Sequence, residues 1–151
     1  MSNTINLNNG NDSEAGTILD DIIWSLYGSE NDRLNGGRSN DRLYGEQGSD
    51  TLDGGRSNDI VDGGVGDDHL IGGRGSDRFI VHAGNDTIAD FQNNQDTTDV
   101  SEALTTYAAR KAYVDSHATI VAGNTVLTDD AANSVTILGV TNITLLYDDI
   151  V

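Results

Sequence analysis

Aspartate recurs at every ninth position through the middle of this 151-residue sequence. Seven consecutive positions of that spacing carry it: Asp32, Asp41, Asp50, Asp59, Asp68, Asp77 and Asp86. A large apolar residue follows two positions after each: Leu34, Leu43, Leu52, Val61, Leu70, Phe79 and Ile88. Carboxylates held at a fixed spacing can bind cations, and Asp is common in turns and metal-binding loops. The spacing therefore predicts a repeated cation-binding element.

Short strands and glycine-rich turns must position these aspartates. A three-residue strand points one side chain inward, because alternate side chains face opposite sides of a strand. The six residues before each strand must reverse the chain, and pairs such as Gly36-Gly37 and Gly54-Gly55 permit the positive φ angles of tight turns. Two units return the chain to its starting side, so one coil takes 18 residues. Successive coils then stack as parallel strands ~4.8 Å apart.

Stacked coils align the aspartates in two columns, one at each edge of the roll. The first column is Asp32, Asp50, Asp68 and Asp86, and the second is Asp41, Asp59 and Asp77. Carboxylates only ~5 Å apart repel one another without a counter-charge. Ca²⁺ suits the gap because it accepts about 6–8 oxygen ligands in flexible geometry, whereas Mg²⁺ demands a near-ideal octahedron. The alternative is an ordinary solenoid whose turn aspartates are solvated.

Residues 27–89 resemble the RTX, or hemolysin-type, nonapeptide array GGxGxDxUx, as in the unit GGRGSDRFI at 72–80. The resemblance implies an all-β, right-handed parallel β-roll that binds Ca²⁺, in proteins exported by type I secretion. It also implies that aspartates of the two columns and main-chain carbonyls of the turns hold the metal, and consecutive column members frame about five ions. The carbonyls expected to contribute are those of Gly36, Gly45, Gly54, Gly63 and Gly72.

The repeat departs from the family pattern at its two ends. The leading pair is Tyr27-Gly28 in the first unit and Val81-His82 in the last. Upstream, residues 16–23 look like a degenerate unit that is out of phase by two residues. Asp21 in that unit would add a weaker, sixth calcium site.

The net charge of −17, from 25 Asp and Glu against 8 Lys and Arg, excludes several partners. Nucleic acids and anionic membranes would be repelled. The absence of Cys leaves no disulfide framework and no thiolate zinc site. No apolar run approaches the ~20 residues of a membrane span, and the first residues lack the pattern of a cleaved signal peptide.

Beyond residue 90 the nine-residue spacing stops, and mixed elements are expected. Ser101 can cap a helix that extends to about Ser116. Residues 118–122 and 125–127, separated by Gly123-Asn124, predict a hairpin, and residues 135–138 predict a further strand. These elements would form a small C-terminal cap of strands with one short helix.

The chain ends in an acidic pair before two apolar residues, Asp148, Asp149, Ile150 and Val151. This ending resembles the uncleaved C-terminal export signals of type I secretion substrates. The alternative is that Ile150 and Val151 belong to the last strand and close the open end of the roll. Both interpretations can hold, because export precedes folding.

Three arginines, Arg38, Arg56 and Arg74, are spaced 18 residues apart and should stack on one edge of the roll. An arginine ladder could bind a polyanionic sugar through repeated carboxylate contacts. The resemblance supports this idea, since RTX-type modules of mannuronan (alginate) epimerases assist alginate binding. The alternative is that these arginines screen neighbouring acids such as Asp53 and Asp62.

Three segments are predicted: a degenerate N-terminal repeat or cap (1–26), the calcium-binding β-roll (27–89) and a C-terminal cap with a secretion signal (90–151). No zinc-protease motif, nucleophile elbow or P-loop is present, so we expect a non-enzymatic module whose parent protein carries any catalysis upstream. We expect a secreted monomer that folds on binding extracellular Ca²⁺ and engages a type I secretion apparatus. The alternatives are an acidic-polysaccharide-binding module of a carbohydrate-modifying enzyme and a passive spacer in an adhesin.

Overall fold

The computed structural model describes residues 3–7, 12–25, 29–92, 95–99, 118–128 and 133–140, and these residues form two sheets. The six-stranded sheet contains, in spatial order, β1 (Asn3–Leu7), β3 (Asp21–Ser25), β5 (Arg42–Tyr44), β7 (Ile60–Asp62), β9 (Arg78–Ile80) and β11 (Thr97–Asp99). The eight-stranded sheet contains β12 (Ala118–Val121), β13 (Asn124–Thr128), β14 (Ser134–Ile137), β10 (Asn85–Ile88), β8 (His69–Arg74), β6 (Thr51–Arg56), β4 (Arg33–Arg38) and β2 (Ser13–Ala15).

Strands β2 to β10 alternate between the two sheets along the chain, as a coil of two strands per turn requires. Neighbouring strands of the repeat are parallel, and Leu52 of β6 lies opposite Leu34 and Leu70, each 18 residues away. The six-stranded sheet has the same register, with Leu43, Val61 and Phe79 side by side. The predicted all-β parallel roll with an 18-residue coil is therefore confirmed.

The interior between the sheets is a narrow ladder of apolar side chains. All seven apolar residues of the repeat are fully buried, and Ile23 extends the ladder toward the N-terminus. At the other end, Ile137 of β14 lies beside Ile88 of β10 and is also fully buried. Hence one apolar residue in nine builds a continuous core, because each strand places that residue at the same height as its neighbours.

The coil that follows Ile23 is two residues longer than the 18-residue coils of the repeat. Ile5 pairs with Ile23, a separation of 18, whereas Ile23 pairs with Leu43, a separation of 20. The normal separation has returned at Asn31, whose side chain accepts a hydrogen bond from the Ser49 N–H. The two extra residues therefore lie between Ser25 and Asn31, and the phase shift predicted from the sequence is confirmed.

The strands of the eight-stranded sheet are longer than the three residues predicted. Strands β4, β6 and β8 span six residues each, because their ladder continues through the glycine pairs: Gly37 lies opposite Gly55, and Arg38 opposite Arg56. Three-residue strands do occur in the six-stranded sheet, as β5, β7 and β9. The two edges of the roll consequently have different turns, although the sequence repeat is the same.

A hairpin covers the end of the eight-stranded sheet, as predicted. Strands β12 and β13 are antiparallel, and β14 pairs antiparallel with β13 and parallel with β10. The turn is formed by Ala122 and Gly123, one residue earlier than predicted, and both have positive φ (52° and 84°), the twist that a two-residue hairpin favours. The predicted helix at 101–116 and the terminal residues 148–151 lie outside the described residues. None of the described residues belongs to a helix long and apolar enough to cross a membrane.

Candidate metal centre

The repeat aspartates lie at the turns and are buried. Six of the seven stand immediately before a strand, Asp86 is the second residue of β10, and all seven residues have relative exposures of 5% or less. The first column lies at the starts of strands of the eight-stranded sheet, and the second column lies at the starts of strands of the six-stranded sheet. Two more buried aspartates, Asp21 and Asp96, extend the second column at its ends. The structure therefore brings together the carboxylates that the spacing predicted.

One oxygen of each carboxylate connects adjacent coils. The Asp41 N–H donates to Asp59 Oδ1 at 2.7 Å, and the Asp59 N–H donates to Asp77 Oδ1 at 2.8 Å. The same bond, over the same separation of 18 residues, joins Asp32, Asp50, Asp68 and Asp86 in the first column. Each of these charge-assisted bonds fixes one coil against the next.

The other oxygen is left without a partner at six successive turns. Within the described part of the chain, the following buried atoms accept no hydrogen bond: Oδ2 of Asp41, Asp50, Asp59, Asp68, Asp77 and Asp86. A buried carboxylate oxygen with no partner is costly unless a cation or a proton satisfies it. These atoms are therefore the candidates for cation ligands.

Main-chain carbonyls of the next coil face the same space. A Cβ atom placed on Gly54 would lie 2.7 Å from Asp59 Oδ2 and 2.8 Å from the Gly72 carbonyl oxygen. A Cβ on Gly36 would lie 2.6 Å both from Asp41 Oδ2 and from the Gly54 carbonyl oxygen. The remaining predicted glycines, Gly45, Gly63 and Gly72, likewise adjoin the Oδ2 atoms of Asp50, Asp68 and Asp77. Absence of a side chain at these positions keeps the space beside each carboxylate open.

Burial raises the pKa of the six aspartates whose Oδ2 atom is unpartnered. It is the largest influence on the pKa of Asp59, which rises to about 8, and on the pKa of Asp50 and Asp86, which rises to about 7. The amide donated by the preceding coil lowers each pKa, while the neighbouring carboxylates of the same column raise it further. Without a cation, then, the folded roll stores unfavourable charge at its turns.

The donor set fits calcium. Among the described residues, no three His, Cys, Asp or Glu side chains converge as a metal site, so a cation here must also use main-chain oxygens. Carboxylate and carbonyl oxygens with variable geometry are the ligands of Ca²⁺ rather than of a softer or stricter metal. The residues placed to hold it are the interior column aspartates together with the turn glycines.

The three arginines do stack, on the eight-stranded sheet. Arg38, Arg56 and Arg74 occupy one row of β4, β6 and β8, are exposed, and make no ion pair with any described residue. The two acids that the ladder was expected to screen have other basic neighbours. Asp62 Oδ1 lies 3.1 Å from His82 Nε2, and the positive charge of Arg33 lowers the pKa of Asp53. The described contacts therefore do not bear out screening of these two acids by the ladder.

Sequence reasoning missed two features of the turns. Asp96 joins the second column through a bond from the Asp77 N–H at 2.9 Å, but it follows Asp77 by 19 residues and so fell outside the repeat. A second ladder uses the residue before each aspartate: the Asn58 N–H donates to Asn40 Oδ1, and the Ser76 N–H donates to Asn58 Oδ1. The recurrence of Asn or Asp at that position was the available signal.

The nonapeptide repeat of this chain matches a known family of calcium-binding repeats. The family of RTX calcium-binding nonapeptide repeats, in four copies, matches residues 26–61 and 53–88. The solution structure of the AlgE6R3 subunit of a mannuronan C5-epimerase from Azotobacter vinelandii is 26% identical, with 94% of this chain and 78% of that chain covered and a TM-score of 0.47. No curated protein matches this sequence.

The raised pKa values predict that acid stabilises the metal-free roll. Between the ordinary pKa of Asp, near 4, and folded values of about 6 to 8, the folded state binds more protons than the unfolded state, so stability must increase as the pH falls through this window. In cation-free buffer, circular dichroism should show more β signal at pH 5 than at pH 8.

The matched variants are Asp59→Asn, which should reduce this gain, and Glu14→Gln, which should leave it intact. Glu14→Gln removes the same charge from a residue that influences none of the raised pKa values of the column aspartates. Equal β signal at pH 5 and pH 8 would contradict the electrostatic account.

Proposed function

We propose, from the premise that residues 26–88 are RTX calcium-binding nonapeptide repeats, that this chain is a module that folds on binding extracellular Ca²⁺. The observation that carries the proposal is the row of six buried Oδ2 atoms without a hydrogen-bond partner among the described residues. Their charge has to be matched before the coils can stack at neutral pH. Calcium would supply that positive charge.

The proposed ligands are those expected from the sequence. Interior aspartates of both columns would contribute side-chain oxygens, and the carbonyls of the turn glycines, such as Gly54 and Gly72, would contribute main-chain oxygens. Five ions would add ten positive charges and change the formal charge from −17 to −7. Asp32 and Asp86 at the ends of the first column, and Asp21 beyond the second, complete the set proposed from the repeat.

Calcium binding and folding are coupled in this proposal. The sites are assembled from turns 18 residues apart, so they do not exist in the unfolded chain. A cation that binds only the folded state adds its binding free energy to folding. Extracellular-type sites, with Kd of about 10⁻⁴–10⁻³ M, would stay empty in the cytosol and fill outside the cell. The chain would then be unfolded during export and folded after it.

A calcium titration followed by far-UV circular dichroism tests this coupling. Starting from chelator-treated protein at pH 7.5, the β signal should increase cooperatively at roughly 0.1–1 mM Ca²⁺. Mg²⁺ at the same concentrations is the control and should have little effect. A chain that is fully folded in chelator and indifferent to calcium would overturn the proposal.

We further propose that the chain supports type I secretion of a parent protein, as a non-enzymatic segment. The support is the family of the repeat and the acidic-apolar ending at 148–151. A passive spacer would need no such ending. The three-segment organisation, with a cap at 1–26 and a secretion segment at 90–151, belongs to the same proposal.

An export assay separates these possibilities. A reporter fused ahead of the full chain should be exported by cells that possess a type I exporter. Removal of residues 148–151 should strongly reduce export, because the proposal places the export signal in these residues. The control is the same fusion in cells without the exporter. Unchanged export after the deletion would refute the role assigned to these four residues.

A second function, binding of an acidic polysaccharide, is favoured by the arginine row. Three exposed guanidinium groups without ion pairs to described residues stand on adjacent strands, ~4.8 Å apart. Repeated charge-assisted contacts to a polyuronate need such a row. Because the whole chain is acidic, binding should require the calcium-loaded form, in which the net charge is smaller.

Charge reversal tests the arginine row. The triple variant Arg38→Glu, Arg56→Glu and Arg74→Glu should abolish retention on an alginate-like polymer without changing the calcium-induced β signal. The single variant Arg56→Glu should weaken retention, whereas Arg42→Glu, an exposed arginine on the other sheet, should not. Equal effects of the two single variants would indicate non-specific charge attraction only.

A further inference from the structure

Three of the four aspartates at the ends of the columns differ from the rest, and the exception is Asp86 at the far end of the first column. In the interior turns, the Oδ2 atom beside the glycine is unpartnered among the described residues. At Asp21, Asp32 and Asp96, that oxygen accepts a hydrogen bond from the protein itself. The donors are Thr17, Ser25 and Gln92.

Thr17 contacts Asp21 twice. Its N–H donates to Asp21 Oδ2 at 2.6 Å and its hydroxyl donates to the same oxygen at 3.0 Å. The position is equivalent to the interior turns, since a Cβ on Gly16 would lie 2.9 Å from Asp21 Oδ2 and close to the Gly36 carbonyl oxygen. The oxygen that faces a carbonyl of the next coil is therefore already satisfied. The other oxygen, Asp21 Oδ1, which in the interior turns accepts the amide of the preceding coil, has no partner among the described residues.

The same arrangement recurs at the opposite end of the second column. The Gln92 N–H donates to Asp96 Oδ2 at 2.8 Å, and Oδ1 of Asp96 accepts the Asp77 N–H. Asp96 is only 1% exposed, and both oxygens of its carboxylate are satisfied by hydrogen bonds from the protein. Thr17 precedes Asp21 by four residues, and Gln92 precedes Asp96 by four residues. The same local hydrogen bond therefore occurs at both ends of the second column.

Ser25 closes the first column. Its hydroxyl donates a short hydrogen bond to Asp32 Oδ2, and the Asp12 N–H donates to Asp32 Oδ1 at 2.7 Å. Ser25 is itself buried, at 5% exposure, at the end of β3. Asp32 is thus satisfied by two protein donors, unlike Asp50 one coil later.

Backbone conformation distinguishes five of the six open turns from those of Asp21 and Asp96. The residue four before each interior aspartate has positive φ at Gly37 (98°), Gly55 (101°) and Gly73 (91°), whereas Thr17 and Gln92 do not have positive φ. The turn of Asp68 has Gly64 at 88°, and that of Asp50 has Glu46 at 69°. Asp86 is the exception: His82 lacks positive φ, yet Asp86 Oδ2 has no partner among described residues. Positive φ four residues before the aspartate thus accompanies five of the six open turns, and glycine adopts it at the lowest cost.

We infer that Thr17, Ser25 and Gln92 close three of the four terminal turns to cations, so that Asp21, Asp32 and Asp96 are structural hydrogen-bond acceptors. Calcium is then confined to the turns whose Oδ2 atom is open, from Asp41 to Asp86. This inference rests on the proposed calcium-dependent function. It reduces the number of calcium ligands expected from the repeat. Asp21 and Asp32 are no longer expected to bind calcium, and Asp96 is not added as a ligand. The end coils would then be held by protein donors whether calcium is present or absent.

Calcium counting on the full chain tests the inference. The number of bound Ca²⁺ ions, measured by native mass spectrometry and isothermal titration, should fall by at least one in Asp59→Asn. The matched end variant Asp96→Asn should keep the wild-type number. Loss of an ion from Asp96→Asn would overturn the inference, while a wild-type chain that binds no calcium would instead overturn the proposed function.

Opening an end is the complementary experiment. Thr17→Gly creates the Gly-Gly pair of the interior turns and removes the hydroxyl donor, so this variant should bind one ion more than wild type. The double variant with Asp21→Asn should lose that extra ion, which locates it. An unchanged number of ions in Thr17→Gly would show that Thr17 is not what closes the turn.

Discussion

The hydrogen bond from one coil's amide to the next coil's aspartate is the interaction on which this structure depends. It uses one carboxylate oxygen to hold adjacent coils in register and leaves the second facing a turn carbonyl. Burial of that second oxygen is unfavourable unless a positive charge or a donor reaches it. One side chain therefore sets both the geometry of the coil and its demand for a cation.

A second ladder of hydrogen bonds at the turns runs in the opposite direction along the chain. Its acceptors include neutral Asn side chains, which need no cation. In the aspartate ladder the earlier coil donates its amide to the later coil, whereas the Asn58 N–H of the later coil donates to Asn40 of the earlier one. Together the two ladders satisfy turn amides that no strand pairing reaches. These turn amides are thus paired within the protein, while six Oδ2 atoms of the described aspartates remain without a donor.

Most of the fold and the positions of the column aspartates could be predicted from the sequence. A nine-residue period combined with the alternation of side chains along a strand is compatible with only one way of coiling the chain. Leu52 and Asp50 show this, since both lie where the period places them. The six-residue length of β6 could not be predicted, because it depends on ladder bonds between glycines 18 residues apart. Asp96 was missed for a similar reason. It follows Asp77 by 19 residues instead of 18, and only the folded chain shows that it joins the second column of aspartates.

Sequence alone establishes the coil, the apolar interior and the two columns, since each follows from residue type and period. Tertiary structure decides which carboxylates remain open. Asp32 and Asp50 have the same spacing in the sequence, but Ser25 reaches only Asp32, from a strand seven residues earlier in the folded coil. The availability of a buried oxygen depends on which donors packing brings within ~3 Å, and no local pattern specifies that distance.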